Sequence, residues 1–367
     1  MSSKALVSVC LPVFNGARHL EAAIESILQQ NHDELELLIA DDGSTDGSID
    51  ISRRFAEKDK RVKFWQNQQR HGLFGNYNAC ISKASGVYIK PFAQDDLLCV
   101  DAIETLINVL ESDRKIVLAS SSRQIIDDVG ALTELKQPIS RDLRAPGKEV
   151  VMFHLIALNN WVGEPSTVLF RTEHRGNGFD ASYYHYGDIE YWCRILLNGS
   201  YFYSERPLAS FRRHAASQTD KNHRELYFAL DILRFSLSYR HLISDLETVE
   251  HMQRRICEKI ALEHGHVVSA ADGNLLDYYQ RAFLHTELPE SSGGSSASES
   301  AGFRLLASMA LNTVSQLIAE LDHEKRCRAD EHALFLSEVD KMRNSLYWKL
   351  SSPLRNLRNA IRPRDGV

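Results

Sequence analysis

The chain has 367 residues, 43% hydrophobic and 25% charged, which is the make-up of a folded soluble protein with room for more than one domain. A formal net charge of −6 argues against wholesale nucleic-acid binding. Cys10, Cys80, Cys99, Cys193, Cys257 and Cys327 are scattered without a CxxC pair, which argues against a disulfide frame or a zinc site and for reduced thiols in a cytoplasmic protein.

In chain order, Leu6 to Val13 reads as a buried strand, followed by Asn15-Gly16 and a helix with the apolar face Leu20, Ile24, Ile27 and Leu28. The strand Leu35–Ala40 leads into Asp41-Asp42-Gly43-Ser44-Thr45-Asp46-Gly47-Ser48, and a helix begins near Ser48. Next come a short strand Val62–Trp65, a helix Asn76–Lys83, a strand Val87–Phe92, a helix Val100–Leu110 and a strand Lys115–Ser120. This βαβα rhythm predicts a mainly parallel sheet covered by helices on both faces, with ligands at the C-terminal strand edge. The Asp-rich segment sits at such an edge. It is not an EF-hand loop: counting from Asp42, the twelfth residue is Arg53, where a bidentate Glu is needed.

Beyond Val150 the pattern is mixed: a helix Glu149–Leu158, a strand Ser166–Arg171, a helix near Asp188–Leu197 and a strand Tyr201–Phe211. Pro207 within that last strand predicts an edge or a bulge. Leu226 to about Phe283 reads as helical, 291–298 as a Ser/Gly linker, and Phe303–Leu346 as a long helix with incomplete coiled-coil spacing. The expected organisation is therefore residues 1–220, a helical extension 221–285, a linker 286–302 and a helical tail 303–367. Met1 to Lys4 runs straight into a strand-like segment, so no signal peptide is expected. No stretch approaches the ~18 apolar residues of a membrane span, so membrane contact is expected to be peripheral.

Val7 to Gly16, Asp41 to Asp46, Asn76 and the pair Asp95-Asp96, in this order, resemble the family 2 glycosyltransferases of bacterial surface-polysaccharide synthesis. The resemblance spans roughly residues 5–220. It implies an α/β, GT-A-type nucleotide-binding fold with a mixed central sheet, a nucleotide-sugar donor (UDP- or dTDP-linked) and inversion at the anomeric carbon. It also implies a divalent ion, Mg or Mn.

Each residue type suits its expected task. Pro12 and Phe14 offer flat apolar contact to a base, Asp42 offers acceptors for its ring N–H, and Asn15 and Asn76 complete the nucleotide end. Asp95 is the expected metal ligand, hard oxygen being what such ions take. Asp96 is a candidate beside the diphosphate or acceptor. Many relatives carry Asp-x-Asp-Asp, where this chain has Ala93-Gln94-Asp95-Asp96. Gly187-Asp188-Ile189-Glu190 resembles the family's Glu-Asp segment, with Gly187 where a Glu commonly stands. Asp188 falls on the base position, and an ordinary pKa of ~3.9 would leave it ionised at cell pH. Glu190 is the rival, but the two side chains point about 200° apart on a helix. His214 is a second expected metal ligand, Arg212 and Arg213 suit phosphate, and Trp161 suits stacking on an acceptor sugar.

The implied acceptor is a hydroxyl of a glycan or lipid-linked molecule. The absent carboxylate at 93 also admits a second reading, a nucleotide-sugar- or glycan-binding scaffold without turnover. A dinucleotide enzyme is disfavoured because the first βα turn lacks GxGxxG. Between Lys341 and Arg364 the tail carries basic and apolar residues and no acidic ones, which suits an amphipathic helix on an anionic membrane or self-association through 303–367.

Overall fold

A computed structural model describes residues 5–213 and 227–242. The expectations for His214, for residues 243–285, and for the linker and tail lie outside the described residues.

The described chain forms one mixed sheet of ten strands. It begins with β1 (Val7–Val13), α1 (Ala17–Leu28), β2 (Leu35–Asp41), α2 (Ser48–Lys58), β3 (Val62–Gln66), α3 (Gly72–Lys83), β4 (Tyr88–Pro91), β5 (Leu97–Leu98) and α4 (Ala102–Ser112). There follow β6 (Ile116–Ile126), β7 (Leu132–Lys136), β8 (Leu143–Pro146), α5 (Gly147–Ala157), β9 (Val168–Arg171), α6 (Gly187–Leu196), β10 (Ser200–Arg212) and a final described helix, α7 (Tyr227–Tyr239).

The strand order is β3-β2-β1-β4-β9-β6-β10-β5, with β7 paired to β6 and β8 to β10. β1, β2, β3 and β4 are parallel, as expected; β9 runs antiparallel to both β4 and β6. The order turns back at β1, with β2 on one side and β4 on the other. Such a switch point splays the connections apart at the C-terminal strand edge. Pro207 sits at a bulge in β10, where the register against β6 shifts on both of its sides. Having no N–H, it cannot serve a ladder there.

Alternate residues of β1 (Val7, Val9, Leu11 and Val13) pack with Leu20, Ile24 and Ile27 of α1 and Ile103, Leu106 and Leu110 of α4 in one buried cluster. On the opposite face an aromatic group joins α3, β9 and α6: Phe74 and Tyr77 meet Phe179, which meets Tyr191 at 4.5 Å, and Tyr191 meets Phe170. Both faces of β1, β2 and β4 are thus dry, which is why β1 and β2 read as mostly apolar runs.

At the N-terminal strand ends Glu36 is buried in β2. It accepts bonds from Ser8 Oγ (2.6 Å), Lys63 Nζ (2.6 Å), Ser85 N–H (2.8 Å) and Ser85 Oγ (2.7 Å). Burial opposes its charge, but these donors outweigh burial and hold its pKa at about 2.

Candidate active site

The residues expected at the nucleotide end gather about the C-terminal edges of β1 and β2. Asn15 adopts a left-handed conformation (φ 48°), one that Asn tolerates better than most residues. Its Oδ1 accepts the Thr45 N–H (2.8 Å) and its own N–H donates to Ser44 Oγ (2.9 Å). Gly16 N–H donates to Ser48 Oγ and Ala17 N–H to Asp46 Oδ2. The Asp-rich loop therefore receives the amides that lead into α1, a cap supplied from about thirty residues away. Pro12 is buried in β1 opposite Ala40. Phe14 is partly exposed beneath the Arg70 guanidinium, 3.9 Å above its ring.

Asp42 is nearly buried. Its Oδ1 accepts Asn67 Nδ2 (3.0 Å) and the His71 N–H (2.8 Å), while Oδ2 accepts the Gly72 N–H (2.8 Å). Asn76 lies below it, donating to the carbonyls of Val13 (3.3 Å) and Ala40 (2.9 Å) and accepting from Asn67 (2.8 Å). The sequence assigned Asn76 to the ligand; in the structure its donors hold the ends of β1 and β2 together. Because Asp42 caps the chain entering it, α3 begins at Gly72, one turn before the expected Asn76.

The Ala93–Asp96 segment follows β4. Gln94, which the sequence reading passed over, accepts the Phe14 N–H (2.9 Å) and donates to the Phe14 carbonyl (3.1 Å). This joins the loop after β1 directly to the paired aspartates. Asp95 is partly exposed. Asp96 has no exposed surface, so the expected contact with diphosphate or acceptor does not fit it. Its Oδ1 accepts the Arg212 N–H, and burial with the adjacent Asp95 charge pushes its pKa well up. Its Oδ2 has no hydrogen-bond partner among the described residues. Of the two carboxylates only Asp95 is open to solvent, and one hard oxygen donor there fits a divalent ion that takes its remaining ligands from phosphate and water. Among the described residues no group of three or more His, Cys, Asp or Glu forms a complete metal cage.

The arginines differ from expectation. Arg212 is buried, and its guanidinium donates to the carbonyls of Asp95 (2.8 Å) and Asp127 (2.8 Å). It braces the aspartate segment instead of reaching for phosphate. Arg213 is exposed and lies 3.7 Å from Glu134.

The loop from Asn160 to Thr167 connects the paired aspartates to α6. Ser166 Oγ accepts the Ala93 N–H (3.0 Å), and buried Lys90 donates to the Ser166 carbonyl (2.5 Å). Burial pushes Lys90 down to about 7, against the pull of the Asp96 charge. Glu164 pairs with Arg123 of β6. Gly163 has φ +111°, where only glycine sits without strain, and its carbonyl accepts the Trp192 Nε1–H (3.0 Å). Trp161 packs edge-on against Phe153 with centroids 4.9 Å apart.

Asp188 is the second residue of α6. Oδ2 accepts Asn160 Nδ2 (2.8 Å) and Oδ1 accepts the Ile189 N–H (2.7 Å). Part of its surface is open, yet protein encloses it densely, and that burial raises its pKa to about 7. The Ile189 N–H and Arg123 oppose the rise and the Glu164 charge adds to it. The ordinary value assumed from sequence is therefore corrected: near neutral pH this carboxylate is poised between its two forms. Glu190 faces elsewhere, paired with Arg194 (2.7 Å) and near Tyr239 Oη (3.3 Å). Gly187 has a steric reason, since a Cβ there would lie 2.4 Å from the Phe74 ring.

Comparison with known proteins agrees with this architecture. Residues 8–174 match the family model for Glycosyl transferase family 2. Over these residues the chain is similar to family 2 of the glycosyltransferases, and its fold is of the GT-A type. The uncharacterized protein MT1568 of Mycobacterium tuberculosis is 29% identical over 228 residues, covering 60% of this chain and 70% of that protein. The glycosyltransferase GlyG of Streptococcus pneumoniae is 35% identical over 116 residues, covering 31% of this chain but only 38% of GlyG. Among solved structures, S. aureus TarS 1-349 in complex with UDP-GlcNAc superposes with a TM-score of 0.56 at 14% identity, over 76% of this chain and 80% of that one. The mannosyltransferase PcManGT of Pyrobaculum calidifontis, in complex with GDP-Man and Mn2+, gives 0.50 at 15%, over 86% and 87%. At such identities the structural likeness speaks for the fold.

Proposed function

We propose that the protein is an inverting glycosyltransferase that moves a sugar from a nucleoside-diphosphate sugar to a hydroxyl of a glycan or lipid-linked acceptor. The observation that carries this reading is the loop Asn160–Thr167, bonded at one end to Asp188 and at the other to the segment holding Asp95. The family match over residues 8–174 supports the reaction class, and the similarly folded proteins solved with UDP-GlcNAc and GDP-Man support the donor class. The donor's base lies against Phe14, within reach of the β1 and β2 ends, and its diphosphate lies toward Asp95.

Asp188, with a pKa of about 7, takes the proton from the attacking hydroxyl. A base near the working pH combines a useful ionised fraction with real proton affinity. Asn160 fixes one of its oxygens and leaves the carboxylate oriented. Asp95, backed by Asp96, would hold a divalent ion, which supplies charge neutralisation at the departing diphosphate when bound. Arg212 keeps the aspartates in place through the backbone. No helix among the described residues is long and apolar enough to cross a membrane. Residence at the cytoplasmic side of the inner membrane, through the basic tail 303–367, is the accompanying proposal.

The test is turnover of UDP-GlcNAc, dTDP-glucose and GDP-mannose with Mn, comparing the native protein with Asp188→Asn. Native turnover is expected to fall by about 10²–10⁴-fold in the variant, with UDP affinity held within about twofold. Turnover left intact beside normal UDP binding would sink the assignment of the base.

A further inference from the structure

The helix α7 lies outside residues 8–174, and its buried Asp231 has no part in the chemistry above. A single oxygen of this carboxylate, Oδ2, accepts three consecutive backbone amides: Tyr184 N–H at 2.8 Å, His185 N–H at 2.5 Å and Tyr186 N–H at 3.0 Å. Those three residues lead straight into α6, whose N-cap is Tyr186 and whose second residue is Asp188. Successive N–H groups converging on one point make an anion-binding nest, here filled by the protein's own carboxylate. Hydrogen bonds to an ionised acceptor are about twice as strong as neutral ones.

We propose that Asp231 is a positioning residue for Asp188, setting where α6 begins and therefore where the Asp188 carboxylate points. The catalytic meaning of this role rests on the reading of Asp188 as the base.

Other contacts from α7 act on the same structure. Arg234 bonds Asp180 (3.0 Å) and lies over the Tyr183 ring at 4.4 Å, while Tyr239 Oη donates to the Glu190 carbonyl (3.2 Å). Tyr186, the cap residue itself, donates its hydroxyl to the Leu158 carbonyl (2.7 Å), just before the Asn160 that holds Asp188. The start of α6 is thus fixed from two sides. From one side Asp231 gathers its amides, and from the other the Leu158–Asn160 segment takes its cap residue and its carboxylate. Releasing the first side leaves the start of α6 to the hold of the Leu158–Asn160 segment.

The experiment uses the full chain and three variants, Asp231→Asn, Asp188→Asn and Ile232→Ala. Ile232 is a buried α7 neighbour chosen to lower Tm without touching the nest. Asparagine keeps an acceptor oxygen but removes the charge, so Asp231→Asn weakens the nest without leaving a hole.

In Asp231→Asn, amide exchange across residues 184–186 is expected to rise at least about tenfold. The carbon-13 titration midpoint of Asp188 should fall from about 7 toward the ordinary carboxylate range, because the carboxylate becomes less enclosed. UDP affinity should stay within about twofold, and with a turned-over donor kcat should fall at least about tenfold at constant KM. The proposal is overturned if the Asp188 midpoint and kcat stay at their native values. It is equally overturned if Ile232→Ala, at matched Tm loss, moves them as far. Should Asp188→Asn retain turnover while Asp231→Asn still moves the Asp188 midpoint, the base assignment fails and the positioning stands.

Discussion

At the β1–β2 end of the sheet edge, the carboxylates and hydroxyls are turned inward onto backbone. Asp42 caps α3, Asp46 and Ser48 cap α1, and Asn76 ties two strand ends. At the α6 end the opposite holds, for Asp188 is held by few donors, densely enclosed and shifted to about 7. One end is rigid scaffolding that shapes a surface, the other a poised acid–base group whose environment disfavours its charge. In the proposed reaction, nucleotide binding asks for the first and proton transfer for the second. Groups held by many internal donors stabilise the fold, whereas a group left under-compensated does so at some cost in stability.

That contrast breaks first on pH. Turnover should rise with pH through about 7, and at pH 5 it should be about a hundredth of its value at pH 8, since the ionised fraction of Asp188 falls about tenfold per pH unit below its pKa. Stability should run the other way. The folded state holds this proton more tightly than the unfolded chain, whose ordinary value is 3.8, so the group's contribution to stability declines as pH rises from about 4 through about 7. Asp188→Asn is therefore expected to raise Tm at pH 8 while removing turnover. A flat pH–rate profile, or a lower Tm, would erase the distinction between the two ends.

Glu36 is the same test on the scaffolding. Its folded pKa of about 2 lies below the ordinary 4.5, so its contribution to stability is complete above about 4.5 and is lost as pH falls toward 2. The shift corresponds to about 3 kcal/mol, as an upper value for Glu36→Gln at pH 7. Urea unfolding at pH 7 and at pH 3 should show the difference between variant and native protein shrinking at the lower pH, with UDP affinity unaffected at pH 7. A constant difference would mean that Glu36 acts through packing and not through its charge.

The sheet was legible because its central strands are dry on both faces: the runs at Val7–Val13 and Leu35–Asp41 are buried throughout and mostly apolar, and the rhythm of helices between them is regular. β7 and β8 went unread because their residues are largely exposed and carry no strong pattern. β6 runs on to Ile126 past the expected Ser120, because Ser122, Arg123 and Gln124 find partners in Glu205, Glu164 and Ser210. The expected site residues lie at strand ends, within α3, in the loop after α5 and at the start of α6, but what holds them comes from far along the chain. Asp42 reaches His71, Gln94 reaches Phe14 and Asp231 reaches Tyr184. Spacing in a sequence carries no record of such pairs, so the placement of a motif was readable while the partners of its side chains were not.

Gln94 gives the smallest and most local test, because it alone joins the nucleotide end to the paired aspartates by a two-way amide pair with Phe14. Each such bond contributes about 1 kcal/mol. Gln94→Leu, losing both, should lower stability by about 2 kcal/mol and weaken UDP binding by up to roughly thirtyfold by calorimetry. Gln94→Glu separates the two halves of the pair. It retains an acceptor for the Phe14 N–H but sets a charge against the Phe14 carbonyl and beside Asp95, so its UDP affinity should fall below that of the leucine variant. Were both variants to bind UDP as the native protein does, the Phe14 loop would hold its position through its bonds to Ser44, Thr45, Asp46 and Ser48, and the two ends of the site would be built independently.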